Sequence, residues 1–477
     1  MPTRQPSSQL WRFLTEDAEA ILAGLREAEF EHIYPASATL FDRFLSYLDY
    51  LGVRDTLDTF PDHRQRRSIP VRLLAQTLLV RPLCAVSSLA QLGPVLSASP
   101  EILHLLGFNA HQIAQGFRAN ARQRPFDEET LANFAATVTA SDCLDHCLAV
   151  LPKLLGAHPQ YFRDATLIVD SKGVYAPAGK TNAKGERLPA VELKVCTLSV
   201  VVEGEAVPLA WLFAPQEEAE VTLGKCLLER TLPLLASAGV KTLLLDAGYL
   251  DGAWLAGLHR QWGLRVGVRI RETMCLHAVA FGELERQEER RPRPPSPWQE
   301  APSPKRKGKP RPRRQVALVR ALENWESAGA PVDVLALRDT YPEGSVDEWA
   351  VAFFGNTEEN PLTLLGEWRT RWAIEEFFMV ADRYRKLGRL FPCRKGFARA
   401  WVHFAFLAHL LLWCFDHYQP EEPLPEPKAG GLLVIRGQYY AIISIGRLLQ
   451  IVLDHNEAWQ SKRPQVFARL GLNDASP

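Results

Sequence analysis

Asp170 and Asp246 each follow a strongly apolar, strand-like run, Thr166–Val169 and Lys241–Leu245. Strand ends in an open sheet lie along one edge, where two such carboxylates can converge. Taken singly, an Asp after a strand is more often a turn or helix-cap residue. The combination with a third segment shifts that balance. Glu367–Lys386, EWRTRWAIEEFFMVADRYRK, reads as one helix with an aromatic face and two adjacent acids, Glu375 and Glu376. A helix crossing the sheet edge would bring a third carboxylate to the first two. Carboxylate oxygens suit a hard divalent cation such as Mg²⁺. Two such ions about 4 Å apart activate a water or hydroxyl and stabilise the leaving oxygen of a phosphodiester. The chain shows neither a Ser-His-Asp arrangement nor zinc-spaced His and Cys. Cys143 and Cys147, with His146 between them, read as helix-core thiols rather than metal ligands.

The elements that must position these acids follow from patterning. After Thr166–Val169, the alternating runs Leu193–Val202 and Ala206–Leu212 are joined by Glu203-Gly204-Glu205, a hairpin signature. Val221–Ala236 and Asp251–Gln261 read as helices, Lys241–Leu245 and Leu264–Ile270 as strands. The order β-β-β-α-β-α-β describes an α/β fold, a mixed sheet covered by helices. Five segments are expected. Residues 1–160 form an all-helical N-terminal domain for DNA-end binding. Residues 161–270 form the first part of the sheet core. Residues 271–358 form a β-rich insertion with strands at Gln315–Leu322, Val332–Leu337 and Trp349–Phe354. Residues 359–420 complete the core, with a long apolar helix at Lys395–His417. Residues 421–477 form a helical or mixed tail. The insertion contains Arg290–Arg314, with ten Lys/Arg, eight prolines and one acid, Glu300. Such a stretch builds no core and suits DNA contact. Within it, Trp298 is a candidate for stacking on an unpaired base.

The 477 residues carry 55 basic and 55 acidic side chains, so total charge announces no nucleic-acid partner. Contacts to phosphate must come from local clusters, of which His63–Arg67 and Arg118, Arg122 and Arg124 are candidates in the first domain. The short helices of 85–134 are compatible with a helix-turn-helix. The N-terminus lacks the apolar core of a signal peptide. The best apolar run, Ala400–Phe415, falls short of a membrane span. Eight cysteines without CxxC pairs point by default to reduced thiols and a cytoplasmic setting.

Three stretches together resemble the DDE transposases of the IS4-like insertion-sequence family. LIVDSKGVY (167–175) resembles the family's first-aspartate strand, and LLLDAGYLDG (243–252) its second motif. EWRTRWAIEEFF (367–378) resembles the signature helix in which Tyr, Arg, Glu and Lys recur at fixed spacing. That spacing places Trp368 at the Tyr, Arg371 at the Arg, Glu375 at the Glu and Asp382 at the Lys. The similarity spans roughly 160–390. It implies an RNase H-like core in which Asp170, Asp246 and Glu375 hold two Mg²⁺ ions, with Mn²⁺ able to substitute. It implies cleavage at the terminal inverted repeats of double-stranded DNA, then strand transfer into target DNA, by a homodimer in the bacterial nucleoid. DNA contacts are expected from Arg371, Trp368, Arg369, Lys172 and Lys180, with Arg383 or Lys386 replacing the missing lysine. Two other readings share these residues: a domesticated transposase acting as a DNA-binding protein, and an RNase H-like nuclease without strand transfer.

Overall fold

The computed structural model describes residues 12–13, 30–35, 39–84, 128–181, 187–290, 296–303, 311–355, 360–385, 390–417, 431–435 and 438–442, with isolated positions between 85 and 127 and at 185. Contacts divide the chain into two units, 1–138 with 400–477, and 139–399.

The second unit is built on a mixed nine-stranded sheet, and it is an α/β structure. Its strands are β1 (Thr166–Ala176), β2 (Val191–Val202), β3 (Glu205–Pro215), β4 (Thr242–Leu245), β5 (Arg265–Ile270), β6 (Gln299–Ala301), β7 (Arg313–Leu322), β8 (Val332–Thr340) and β9 (Val346–Phe354). The spatial order is β3-β2-β1-β4-β5-β9-β8-β7-β6. β1, β2 and β3 form an antiparallel meander, and β4 and β5 add in parallel through helical crossovers. The turn between β2 and β3 places Glu203 and Gly204 both at positive φ, as a two-residue hairpin turn requires. The helices are α1 (Ala140–Ala157), α2 (Glu220–Leu235), α3 (Gly252–Trp262), α4 (Cys275–Arg290), α5 (Pro361–Arg369) and α6 (Ala373–Arg385). Thr139 opens α1 with a capping box to Asp142, and Asp251 caps α3 through the Trp254 amide.

Several expectations are corrected. β1 does not stop at Asp170; it runs on to Ala176, because its antiparallel partner β2 continues past the point where parallel β4 ends. The inserted strands do not make a separate sheet: β9 pairs with β5, and β8, β7 and β6 extend the same sheet. Helix α4, between β5 and β6, has no counterpart in the sequence reading. Glu367–Lys386 is not one regular helix but α5 and α6, joined through a tighter 3₁₀ turn at Thr370–Trp372. Trp298 is buried rather than offered to a base. Its ring lies under the Arg338 guanidinium at 4.4 Å and beside Phe281. Residues 291–295 and 304–310 of the basic proline-rich stretch around it fall outside the described residues.

In the first unit, helices Thr39–Tyr50, Val53–Asp58, Val71–Val80 and Glu128–Thr137 carry the buried Phe44, Tyr47, Leu74, Leu78 and Phe134. The expectation of an all-helical N-terminal domain is corrected by strands at Arg12–Phe13 and Phe30–Pro35. These join Gly431–Ile435 and Gln438–Ile442 in a four-stranded sheet. The tail is therefore strand-forming where it is described. Arg64 is not a free phosphate donor: it grips Asp62 through Nε and Nη2 and donates to the Ile69 carbonyl, with 6% of its side chain exposed. Arg118, Arg122, Arg124 and most of 85–127 lie outside the described residues. Helix Lys395–Asp416 is long and apolar enough to cross a membrane by composition alone, but 83% of its most apolar window is buried within the protein. Such burial also suits a core helix.

Candidate active site

Sheet register brings the two aspartates together. Ile168 pairs with Leu244, and Val169 with Leu245, across parallel neighbours β1 and β4. Asp170 and Asp246 occupy the next step of this ladder, and Asp246 keeps an extended backbone at φ −82°, ψ 173°. Side chains alternate along a strand, so both acids share the sheet face of Ile168 and Leu244. Leu244 on that face packs into an apolar cluster with Leu364, Leu365 and Trp368 of α5 and Val316, Leu337, Val351 and Phe353 of the inserted strands. This cluster, with Glu367, fixes the helix. Glu367 accepts a hydrogen bond from Thr242 and pairs with Arg265 at 2.9 Å, at the starts of β4 and β5.

One helical turn beyond Glu367, the 3₁₀ step directs Arg371 inward, where its side chain is 9% exposed. Its Nη1 lies 3.6 Å from Asp170 Oδ2, and its Nη2 is 3.0 Å from Glu375 Oε1. One guanidinium thus joins the acid of β1 to the acid of α6. Its Nε is buried without a hydrogen-bond partner among the described residues. Glu376 is exposed beside Glu375 and makes no such contact. Asp170 and Asp246 therefore stand side by side at the strand ends, and Arg371 bridges Asp170 to Glu375.

Burial pushes the Asp170 carboxyl up to about 6, and the neighbouring Asp246 and Glu220 charges push the same way. Its Oδ1 accepts the Ser171 amide at 2.8 Å, and this bond and Arg371 act in the opposite direction. The raised value makes Asp170 destabilising when ionised. The folded state holds the proton more tightly than the unfolded chain, so stability falls as pH rises from about 4 to about 6. Asp170→Asn is expected to flatten that slope and to raise stability at pH 7.5 in EDTA by about 1–3 kcal/mol. Thermal denaturation across pH 4–8 measures it; a parent whose stability rises over that interval speaks against the shift.

Glu220, in the first turn of α2, was missed by the sequence reading. Glu217, Glu218 and Glu220 precede an apolar helical run, where acids are ordinary helix-start residues. Nothing in their spacing marks one for the site. Tyr249, of the second motif, sets α2 against the sheet. Its hydroxyl lies 2.7 Å from Ser171 Oγ, and its fully buried ring covers Gly224. A Cβ at 224 would come within 2.7 Å of that ring. Gly224→Ala is expected to cost about 1–3 kcal/mol, read as a lower denaturant midpoint at unchanged slope. An unaffected midpoint would show that the ring is free to shift.

The remaining candidates divide. Trp368 is 3% exposed inside the apolar cluster, so its ring is closed to a DNA end, a correction to the DNA contact expected of it. Lys172 is ion-paired with Asp382, the residue at the signature lysine position. Arg369 donates to the Pro302 carbonyl and Lys180 is exposed. Arg383 lies in α6 with its side chain undescribed, and Lys386 is outside the described residues. Cys143, Cys147 and His146 are buried in α1, and burial raises both thiols, as core residues would show. Among the described residues, no three His, Cys, Asp or Glu side chains stand close enough together to hold a metal ion as placed.

No family model matches the chain, and no curated protein matches it in sequence. Among solved structures it is similar to a piggyBac transposase synaptic complex with hairpin DNA, studied by cryo-EM. Identity is 8% and the TM-score 0.39, over 94% of this chain and 89% of that one.

The donor chemistry fits a hard divalent cation. Asp246 has no side-chain hydrogen bond or ion pair among the described residues. Asp170 is held unfavourably among carboxylates, with a single guanidinium as the nearby cation. An ion binding Asp170 and Asp246 would relieve that repulsion, and Glu375 would join on releasing Arg371.

Proposed function

We propose that this chain is a DNA transposase of the DDE type, with the nine-stranded sheet built on an RNase H-like core and Asp170, Asp246 and Glu375 as its acids. The observation that carries the reading is the placement of these acids. Two aspartates stand one register step beyond paired positions on adjacent parallel strands, and a helix glutamate reaches the same guanidinium as the first of them. Mg²⁺ held by these acids would supply Lewis-acid activation of a water or 3′-hydroxyl and stabilisation of the leaving oxygen.

The chain's own residues do the rest. Asp170 and Asp246 present oxygen ligands from a rigid sheet, where their spacing is set by the ladder. Arg371 has a dual part: it neutralises Asp170 and Glu375 in the absence of metal, and its free Nε is a donor for a phosphate oxygen once Glu375 turns away. Lys180, exposed after β1, is a further candidate for a phosphate-backbone contact. Double-stranded DNA bearing terminal inverted repeats is the substrate and a second DNA the target, with two copies of the chain pairing two ends. The test is cleavage and joining, in Mg²⁺ or Mn²⁺, of DNA carrying the inverted repeats that flank the chain's own gene. Cutting that needs no divalent cation, or an absence of any cutting, counts against the reading.

A further inference from the structure

The spacing of Asp170 and Asp246 is set by more than the ladder that precedes them. Parallel pairing of β1 with β4 ends at Val169 and Leu245. β1 continues against β2, but the chain leaving β4 turns through a short 3₁₀ segment, Ala247–Tyr249. The Tyr249 amide closes that turn by donating to the Asp246 carbonyl at 3.1 Å. The turn carries the Tyr249 side chain back to β1. Its hydroxyl lies 2.7 Å from Ser171 Oγ and 3.5 Å from Sγ of Cys196, the residue paired with Ser171 on β2. The Ser171 amide in turn donates to Asp170 Oδ1 at 2.8 Å. The two aspartates therefore lie within a closed circuit. The Val169–Leu245 rung is on one side of them, and the Tyr249–Ser171 hydrogen bond is on the other. Side chains alternate along β1, so Ser171 points to the face opposite Asp170, and the tie is made on the sheet face that the acids do not use.

We propose that Tyr249 is a positioning residue of the candidate site, fixing through its hydroxyl the separation of the Asp170 and Asp246 carboxylates. The inference rests on the carboxylate-metal reading above and goes beyond its three acids. The fully buried Tyr249 ring covers Gly224, and a phenylalanine would meet that packing equally well. The hydroxyl is the part that reaches β1, and a buried hydroxyl is costly unless it finds a partner. Without it, the segment after Leu245 is held by the turn's own hydrogen bond and by packing, neither of which ties Asp246 to β1. Ligands that share one cation tolerate little drift, and sites lose roughly tenfold to a hundredfold in affinity when the groups that orient the ligands are removed. Ser171 serves the same end from β1, its amide holding Asp170 and its hydroxyl held by Tyr249. One hydrogen bond thereby couples the second acid to the first.

The test is a double-mutant cycle on the full chain, stripped with EDTA: Tyr249→Phe, Ser171→Ala and the two together. Ser171→Ala keeps the amide that holds Asp170 and removes only the hydroxyl. Mn²⁺ binding is followed by the loss of the free-ion paramagnetic resonance signal, and each protein is melted in EDTA. Tyr249→Phe and Ser171→Ala are each expected to weaken Mn²⁺ binding about tenfold, and the double variant to bind as weakly as either single, since all three lack the same bond. A tyrosine that only supports the fold gives another pattern: the variants melt lower but, while folded, bind Mn²⁺ like the parent, and that result overturns the inference. Losses of affinity that add in the double variant overturn it as well, because the two hydroxyls would then act apart. If the parent takes up Mn²⁺ and Asp170→Asn abolishes the uptake, the carboxylate-metal reading stands whichever way the cycle falls. If the parent takes up no Mn²⁺ at millimolar concentration, that reading fails, and this inference with it.

Discussion

Asp170→Ala, Asp246→Ala and Glu375→Ala are each expected to reduce metal-dependent cutting of inverted-repeat DNA by on the order of a thousandfold or more. That loss corresponds to about 4 kcal/mol of transition-state stabilisation. The three should not behave alike in stability. Asp170→Ala relieves a carboxylate that burial and two acidic neighbours disfavour. Glu375→Ala removes an exposed partner of Arg371, so its effect on melting is small. Gel analysis of end cleavage by the folded variants is the measurement. Three variants that cut like the parent would remove these acids from the chemistry.

The largest effect on stability is expected away from the acids. Arg314 and Asp339 face one another on paired positions of β7 and β8, joined by two hydrogen bonds of 2.6 and 2.5 Å. Their side chains are 6% and 1% exposed. Arg314→Ala strands a carboxylate that has no route to water. The cost is about 3–5 kcal/mol, because removing one member of a buried pair leaves an uncompensated charge. Replacing both partners by apolar residues of similar volume is expected to recover most of it. Denaturant unfolding of the single and double variants decides the matter: a double variant no better than Arg314→Ala would show that shape, not charge, sets the cost.

Much of the sheet was legible because its strands carry strong local signals. The apolar runs before Asp170 and Asp246 and the Glu-Gly turn each appear as strand, strand and hairpin. What escaped depends on partners distant in sequence. Nothing near Asp170 says that β1 continues, since the continuation is made by β2. The inserted strands look self-contained until β9 is seen to pair with β5. Trp368 and Trp298 look available in a charged context, and only tertiary packing closes them off. Glu220 looks like a helix-start acid because Gly248, the residue its carboxylate packs against, is 28 positions away in sequence. The Lys172–Asp382 pair is likewise invisible to spacing, although it shows how an acid on α6 is balanced from β1.

The two-part helix has a mechanical meaning. α5 rests on β6, β7 and β8, and α6 rests on β1 and β3, with the Arg371 turn between them. A single strut therefore spans from the added strands to the first strand of the core. The added strands and the core therefore share one support: the packing of α5 on β6, β7 and β8 fixes where the Arg371 turn starts, and so where α6 presents Glu375.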